Sequence, residues 1–267
     1  MIKKLFFLTI LSSTLLLGNR CEDLLKGITG EKKDREIFII LDQTTPFSEK
    51  IRKNAIVNIF GLLKPKTMVN LFTFSEYVKG KNISLIDRYY FNGNLSKDQR
   101  YELGKKRIRA FDECFNSEKE GLQKKLISDL LNNFRNDNMS SSKSEILYTL
   151  RKISKKAVKR SRTKQKIIVV LSDMLENSNY TSFYGEKLKN LDIDKHIKII
   201  SKNRLFGDFD GADIIVIGAG IVDKEGYRDG KDLDRLEALW EEYFEKSKGN
   251  LVTFEQELKY PLKEIYQ

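Results

Sequence analysis

Asp42 follows the apolar run Ile37-Phe38-Ile39-Ile40-Leu41 and precedes Gln43, Thr44, Thr45 and Pro46. A second apolar run, 167–171, leads into Ser172 and Asp173. Between the two, Ser140, Ser141, Ser142 and Ser144 stand before an amphipathic stretch. Carboxylate and hydroxyl oxygens are hard donors, of the kind that magnesium or calcium accepts. Two readings of the first stretch stand side by side. Either Asp42 and Thr44 hold a cation, or the stretch caps the next helix, with Thr45 as the cap and Pro46 in the first turn.

The elements around these residues decide whether they can meet. Residues 36–42, 165–178 and 211–221 contain continuous apolar runs, which predict strands buried on both faces. Residues 46–63 repeat apolar side chains at helical spacing, through Ile51, Ala55, Ile56, Ile59, Leu62 and Leu63. Residues 140–160 predict a helix capped by serines, with Ile146, Leu150, Ile153 and Ala157 on its core side. Residues 233–249 predict another, carrying Leu236, Leu239, Trp240, Tyr243 and Phe244. Residues 68–75 and 82–92 predict an antiparallel edge hairpin, 93–139 a helical insertion, 250–258 a last strand and 259–267 a tail. The fold class expected is α/β: three layers, with a mostly parallel central sheet flanked by helices. In such sheets ligands bind beyond the carboxyl ends of the strands, near the switch in strand order.

Here the chain resembles a von Willebrand factor A-like domain, over roughly 36–256. Those domains open with an apolar strand ending in Asp-x-Ser-x-Ser, followed directly by a helix. A later loop supplies a Ser or Thr before another helix, and an Asp follows the fourth strand. The matching positions are Asp42, Thr44, Ser142 or Ser144, and Asp173. The resemblance implies a metal-ion-dependent adhesion site at these residues, holding Mg2+ or Ca2+, on a module that binds a protein partner without catalysis. Pro46 departs from the motif: it stands where a second hydroxyl belongs and offers no side-chain oxygen. Thr45, Ser48 or water would have to replace that oxygen.

The first twenty residues read as a separate object. Lys3 and Lys4 precede an uncharged stretch from Leu5 to Leu17, thirteen residues long. That is too short to span a bilayer comfortably and fits a secretory signal or an N-terminal anchor. Residues 21–35 read as a linker. The expected location is therefore exported, in the periplasm or on the outer face of the cytoplasmic membrane. Cys21 sits where a lipidated cysteine would stand, although Gly18-Asn19-Arg20 is a poor lipidation signal. Membrane attachment would run through the N-terminal segment or Cys21. A Cys21–Cys114 disulfide is the other use of that thiol in an oxidising compartment. With 2 Cys and 1 His in 267 residues, zinc sites built from these residues are excluded, as are Ser-His and Cys-His triads lacking His196.

Three further motifs compete. Asp42-Gln43-Thr44-Thr45 resembles the first motif of haloacid dehalogenase-like phosphatases, in which the first Asp attacks phosphorus and a second supplies acid/base catalysis. Thr44 replaces that second Asp. The net charge is +11, and Arg151–Lys166 contains nine basic residues and no acidic one. Lys155, Lys156, Lys159 and Arg160 could grip phosphates of a nucleic acid or another anionic surface. The bland alternative is a solvated helix end whose cations complement its dipole. Gly218-Ala219-Gly220 lacks the third glycine of a dinucleotide fingerprint and reads as a tight strand exit.

Overall fold

Successive residues of a strand point to opposite faces, so an unbroken apolar run can be satisfied only between two covering layers. The computed structural model describes Cys21 and residues 33–78, 81–134, 143–184, 186–223, 226–227 and 230–266. The expected leader and Ser142 lie outside the described residues. The elements are β1 (Arg35–Asp42), α1 (Glu49–Leu62), β2 (Thr67–Val78), β3 (Lys81–Phe91), α2 (Lys97–Glu102), α3 (Lys105–Asn133) and α4 (Ile146–Lys156). They continue with β4 (Gln165–Leu171), α5 (Glu186–Lys189), α6 (Ile193–Lys202), β5 (Asp213–Ile217), β6 (Ile221–Asp223) and β7 (Gly226–Tyr227). Last come α7 (Gly230–Lys246), β8 (Asn250–Glu255) and α8 (Leu262–Ile265).

Six strands form one sheet in the order β3-β2-β1-β4-β5-β8. Every neighbouring pair is parallel except β2 with β3, which is the expected edge hairpin. The chain moves outward from β1 to β2 and β3, then returns to lay β4 on the other side of β1. The switch in strand order therefore lies between β1 and β4, the strands that lead to Asp42 and Ser172-Asp173.

The alternation within each strand divides the core. Phe38, Ile40, Ile168, Val170, Ile214 and Val216 face a layer containing Leu150 and Ile153 of α4, Ile197 and Ile200 of α6, and Trp240 and Phe244 of α7. Ile37, Ile39, Leu41, Val69, Val169 and Ile217 face Ile51, Ala55 and Ile59 of α1, with Leu126 and Leu130 of α3 and Leu262 of α8. Tyr89 of β3 is buried and donates its hydroxyl to Asp129 on α3 at 2.5 Å. The last residues also pack: Asn58 of α1 accepts the Leu262 amide at 2.9 Å.

Two helix starts differ from expectation. Ser48, not Thr45, caps α1 by accepting the Ile51 amide, and Pro46 precedes the helix in a tight turn closed by the Phe47 amide donating to the Thr45 carbonyl at 3.1 Å. Thr45 is drawn elsewhere, as described below. No serine side chain caps α4; its cap residue is Glu145, without a side-chain hydrogen bond.

Cys21 groups with Leu95–Glu118 as a small compact unit, while the sheet, its helices and α3 from Lys119 onward form the larger one. In the small unit Cys21, Leu95 and Phe111 are buried together, and Arg100 forks onto both oxygens of Asp112 at 3.1 and 2.6 Å. A disulfide joins Cys21 to Cys114. It consumes the thiol that lipidation of Cys21 would require. Thiol titration of denatured, unreduced protein is therefore expected to find no reactive thiol, and two after reduction. A lipid on Cys21 would instead leave Cys114 reactive from the start, and that result would contradict the pairing.

Candidate functional site at the switch in strand order

Asp42 ends β1 with its carboxylate fully buried. Its Oδ1 accepts two bonds from the turn that follows: the Thr44 amide at 2.8 Å and the Thr44 hydroxyl at 2.6 Å. Its Oδ2 accepts the Ser172 hydroxyl at 2.8 Å and the Ser144 hydroxyl at 3.2 Å. Each donor is held by its own backbone. Ser172 directly follows β4, and its Oγ also accepts the Met174 amide at 3.0 Å. Ser144 is clamped to Asn177 by reciprocal amide–carbonyl bonds of 3.1 and 2.9 Å.

Asp173 is tied to the same centre by a second route. Its amide donates to the Thr45 hydroxyl at 3.0 Å, and its Oδ1 accepts the Leu175 amide at 2.9 Å. The Tyr184 hydroxyl reaches its Oδ2 at 3.4 Å, and the Gly220 amide donates to its carbonyl at 2.9 Å. Trp240 holds the next carbonyl, that of Met174, at 2.9 Å. Gly218 completes the closure. Its φ is +103°, and a Cβ there would lie 2.6 Å from the Phe47 ring and 3.1 Å from the Ser172 carbonyl oxygen. The Gly-x-Gly of 218–220 is thus a tight strand exit packed against the site.

Four of the five residues expected from the sequence are brought together: Asp42, Thr44, Ser144 and Asp173. Ser172 and Thr45 are as central and were not among those five; Ser172 follows its apolar run directly and Thr45 lies in the short polar stretch after the other, which was their signal. Glu176 was missed altogether. Its side chain is fully buried, and its Oε2 accepts the Leu147 amide at 3.0 Å, at the start of α4. It supplies the acceptor that the serines were expected to supply. Nothing in the stretch Met174–Ser178 distinguishes Glu176 from an exposed loop glutamate.

Burial dominates the electrostatics. It pushes the Asp42 carboxyl above its ordinary range, against the Thr44, Ser172 and Ser144 hydrogen bonds, which favour the charged form. The Glu176 carboxyl is pushed up to about 8 by burial, although amides at the start of α4 pull the other way. Its Oε1 is buried with no hydrogen-bond partner. In the neutral form that oxygen costs far less to bury than a second charged one.

A divalent cation is what the family resemblance implies, and the donor types match it: a carboxylate with hydroxyls is a hard oxygen set. No group of three or more His, Cys, Asp or Glu side chains gathers in metal-binding range among the described residues. A cation would therefore depend on the hydroxyls. Of the hydroxyls considered in place of the oxygen missing at Pro46, Thr45 accepts the Asp173 amide and Ser48 accepts the Ile51 amide at the start of α1.

The competing motifs fare differently. As a phosphatase nucleophile Asp42 would need an open oxygen, yet it is 0% exposed and both oxygens accept two bonds each. In the basic stretch Lys155, Lys156 and Arg160 are exposed. Lys159 pairs with Asp208, and Lys166 pairs with Asp210 at 2.5 Å. Arg151 departs from the outer face expected of it: its Nε is buried without a partner.

No protein-family model matches the chain. No curated protein matches it. Among solved structures it shares a likeness with the pilus adhesin SpaC of Lactobacillus rhamnosus GG, with a TM-score of 0.37 and 11% identity. That match covers 80% of this chain, which spans only 30% of the adhesin. A second likeness is to an aerotolerance-related membrane protein of Bacteroides fragilis bearing multiple mutations to serines. There the TM-score is 0.29 and the identity 14%, over 82% of this chain and 90% of the other.

Two predictions follow from the hydrogen bonding and the burial. Asp42→Ala strands three buried hydroxyls and an amide, and is expected to lower the unfolding free energy by about 3 kcal/mol. Ser172→Ala is expected to lower it by about 2 kcal/mol. Urea unfolding followed by fluorescence of Trp240 measures both, and an unchanged midpoint for Asp42→Ala would refute the hub. Between pH 4.5 and about 8 the folded chain holds a proton on Glu176 that the unfolded chain releases. Stability from this group is thus full at low pH and declines as pH rises through that window. Glu176→Gln should flatten the decline; the same slope in both proteins would count against it.

Proposed function

We propose that this chain is an exported, non-enzymatic binding module of the cell envelope that engages a protein partner at the carboxyl edge of its sheet. One observation carries the reading. The segments at Asp42–Thr45, Ser144 and Ser172–Asp173 are locked together at the switch in strand order. This is the order of elements that the von Willebrand factor A resemblance implies. The locked residues themselves are closed over, with Thr44 the most open at 8%. Contact with a partner therefore falls to the loop they organise. Tyr184, whose hydroxyl rests on Asp173, is 39% exposed, and nearby in sequence Tyr180 is 44% exposed. Tyrosines with an anchored polar end and an open ring are favoured contact residues. The Cys21–Cys114 disulfide supports an oxidising compartment.

A divalent cation held by Asp42, Thr44, Ser144 and Asp173 would require this closed hub to open, because Asp42 is buried and both its oxygens already accept hydrogen bonds; opened, it would supply a positive centre for a partner's carboxylate. The phosphatase reading has less support, because Asp42 is enclosed and Thr44 stands in place of the second acid.

The test is cross-linking capture from native membranes, with the unmodified chain, Tyr184→Ala and Thr44→Val, in magnesium and in chelator. The expected result is a protein recovered by the unmodified chain and lost with Tyr184→Ala at unchanged melting temperature. Loss with Thr44→Val or chelator would assign the cation a part. Identical recovery by all three chains would remove the sheet edge as the contact surface. Turnover of a generic phosphate ester that is abolished by Asp42→Asn would replace this reading with the enzymatic one.

A further inference from the structure

At the other margin of the sheet, β8 is an edge strand: among the described residues nothing pairs with its outer side. A groove of about 840 Å3 runs beside it, lined by the consecutive residues 252–259, of which 252–255 belong to the strand. Consecutive lining is informative. A cavity on one face of a strand meets alternate side chains, whereas one that meets every residue lies along the backbone edge. The walls agree with this. Leu233, Asp234 and Glu237 come from α7, and Lys50 comes from α1, whose helix packs on the opposite face of the sheet.

The groove is acidic in a basic protein. Asp234, Glu237, Glu255 and Glu257 line it against two lysines, Lys259 and Lys50, the latter engaged with Glu257 at 2.6 Å. The carboxyl of Glu237 is raised, first by burial and then by Glu241, Asp234 and Glu255. The opposite margin differs. β3 carries Arg88 and pairs through two register shifts, devices that discourage strand addition, whereas β8 pairs with β5 through one. β8, Asn-Leu-Val-Thr-Phe-Glu, contains no Lys, Arg or Pro.

We infer that the outer edge of β8 is a second binding surface, which takes an extended, lysine- or arginine-rich segment of a partner protein by strand addition. Main-chain bonds to the β8 edge supply affinity, and the carboxylates of α7 and the β8 end select for cationic side chains. The inference does not rest on the reading of the strand-end site.

The experiment uses the full chain and two fluorescent octapeptides of alternating lysine and valine. In one, every second backbone nitrogen is methylated, which keeps the charge and removes the donors that a strand needs. The unmodified peptide is expected to bind and to weaken as salt rises, and the methylated one to bind at least ten-fold more weakly. Asp234→Lys/Glu237→Lys, on exposed and half-buried positions, should lose at least ten-fold, whereas Asp194→Lys on α6 should change nothing. Folding of each variant is checked by circular dichroism. Equal binding of the two peptides would show mere charge attraction and overturn strand addition. Equal loss with Asp194→Lys, or no binding by the unmodified peptide, would overturn the site. Capture results for Tyr184→Ala have no bearing on these outcomes, so the two readings fail separately.

Discussion

A carboxylate without solvent must find its hydrogen-bond donors within the fold, and the Asp42 carboxylate finds four. They come from the turn after β1, the loop before α4 and the residue after β4. A charge or near-charge buried this deeply is costly unless every lone pair is met. That requirement fixes where three loops sit relative to one another. Apolar packing positions β1 and β4 side by side, but it is indifferent to the path of the loops beyond them. The polar hub removes that freedom, and Asp173, Tyr184 and Trp240 extend it into the neighbouring segment through directional bonds.

Glu176 shows the same trade from the other side. The start of α4 presents amides that favour a negative charge, yet burial in an apolar layer opposes that charge more strongly. The balance leaves a carboxyl that caps a helix while largely neutral below about pH 8. It also explains why the serines before α4 are not needed as caps. Ser144 is released to reach Asp42, so the cap and the hub are linked choices within one loop pair. A single bridge between Ser144 and Asn177 holds both arrangements together.

The sheet's two margins face different physical demands. Any exposed strand edge invites pairing with another chain; register is irregular at both margins, twice at β3 and once at β8, and their charges differ. β8 is left with carboxylates at its flank, which repel acidic strands and admit basic ones. Specificity of that kind needs no preformed pocket, only a backbone edge and a local field.

Much of this was legible in the residues alone. Continuous apolar runs, amphipathic spacing and their order implied a mostly parallel sheet with helices on both sides, because period and burial are properties of local sequence. Asp42, Thr44, Ser144 and Asp173 could be named because each lies just beyond a strand or before a helix. What the sequence could not show was which hydroxyl serves which acceptor. Thr45 was read as a helix cap but holds the Asp173 amide, Ser48 caps α1 in its place, and Glu176 does the work expected of serines at α4. Arg151 buries its Nε in a stretch that read as solvated, and the carboxylates of Asp234 and Glu237 join those of Glu255 and Glu257 only when α7 is laid beside β8. Local pattern determines whether a residue sits near a strand end or on a helix face. Hydrogen-bond partnership depends on distances between residues more than one hundred apart in the chain, such as Asp42 with Ser144 and Ser172, and only the assembled sheet sets those.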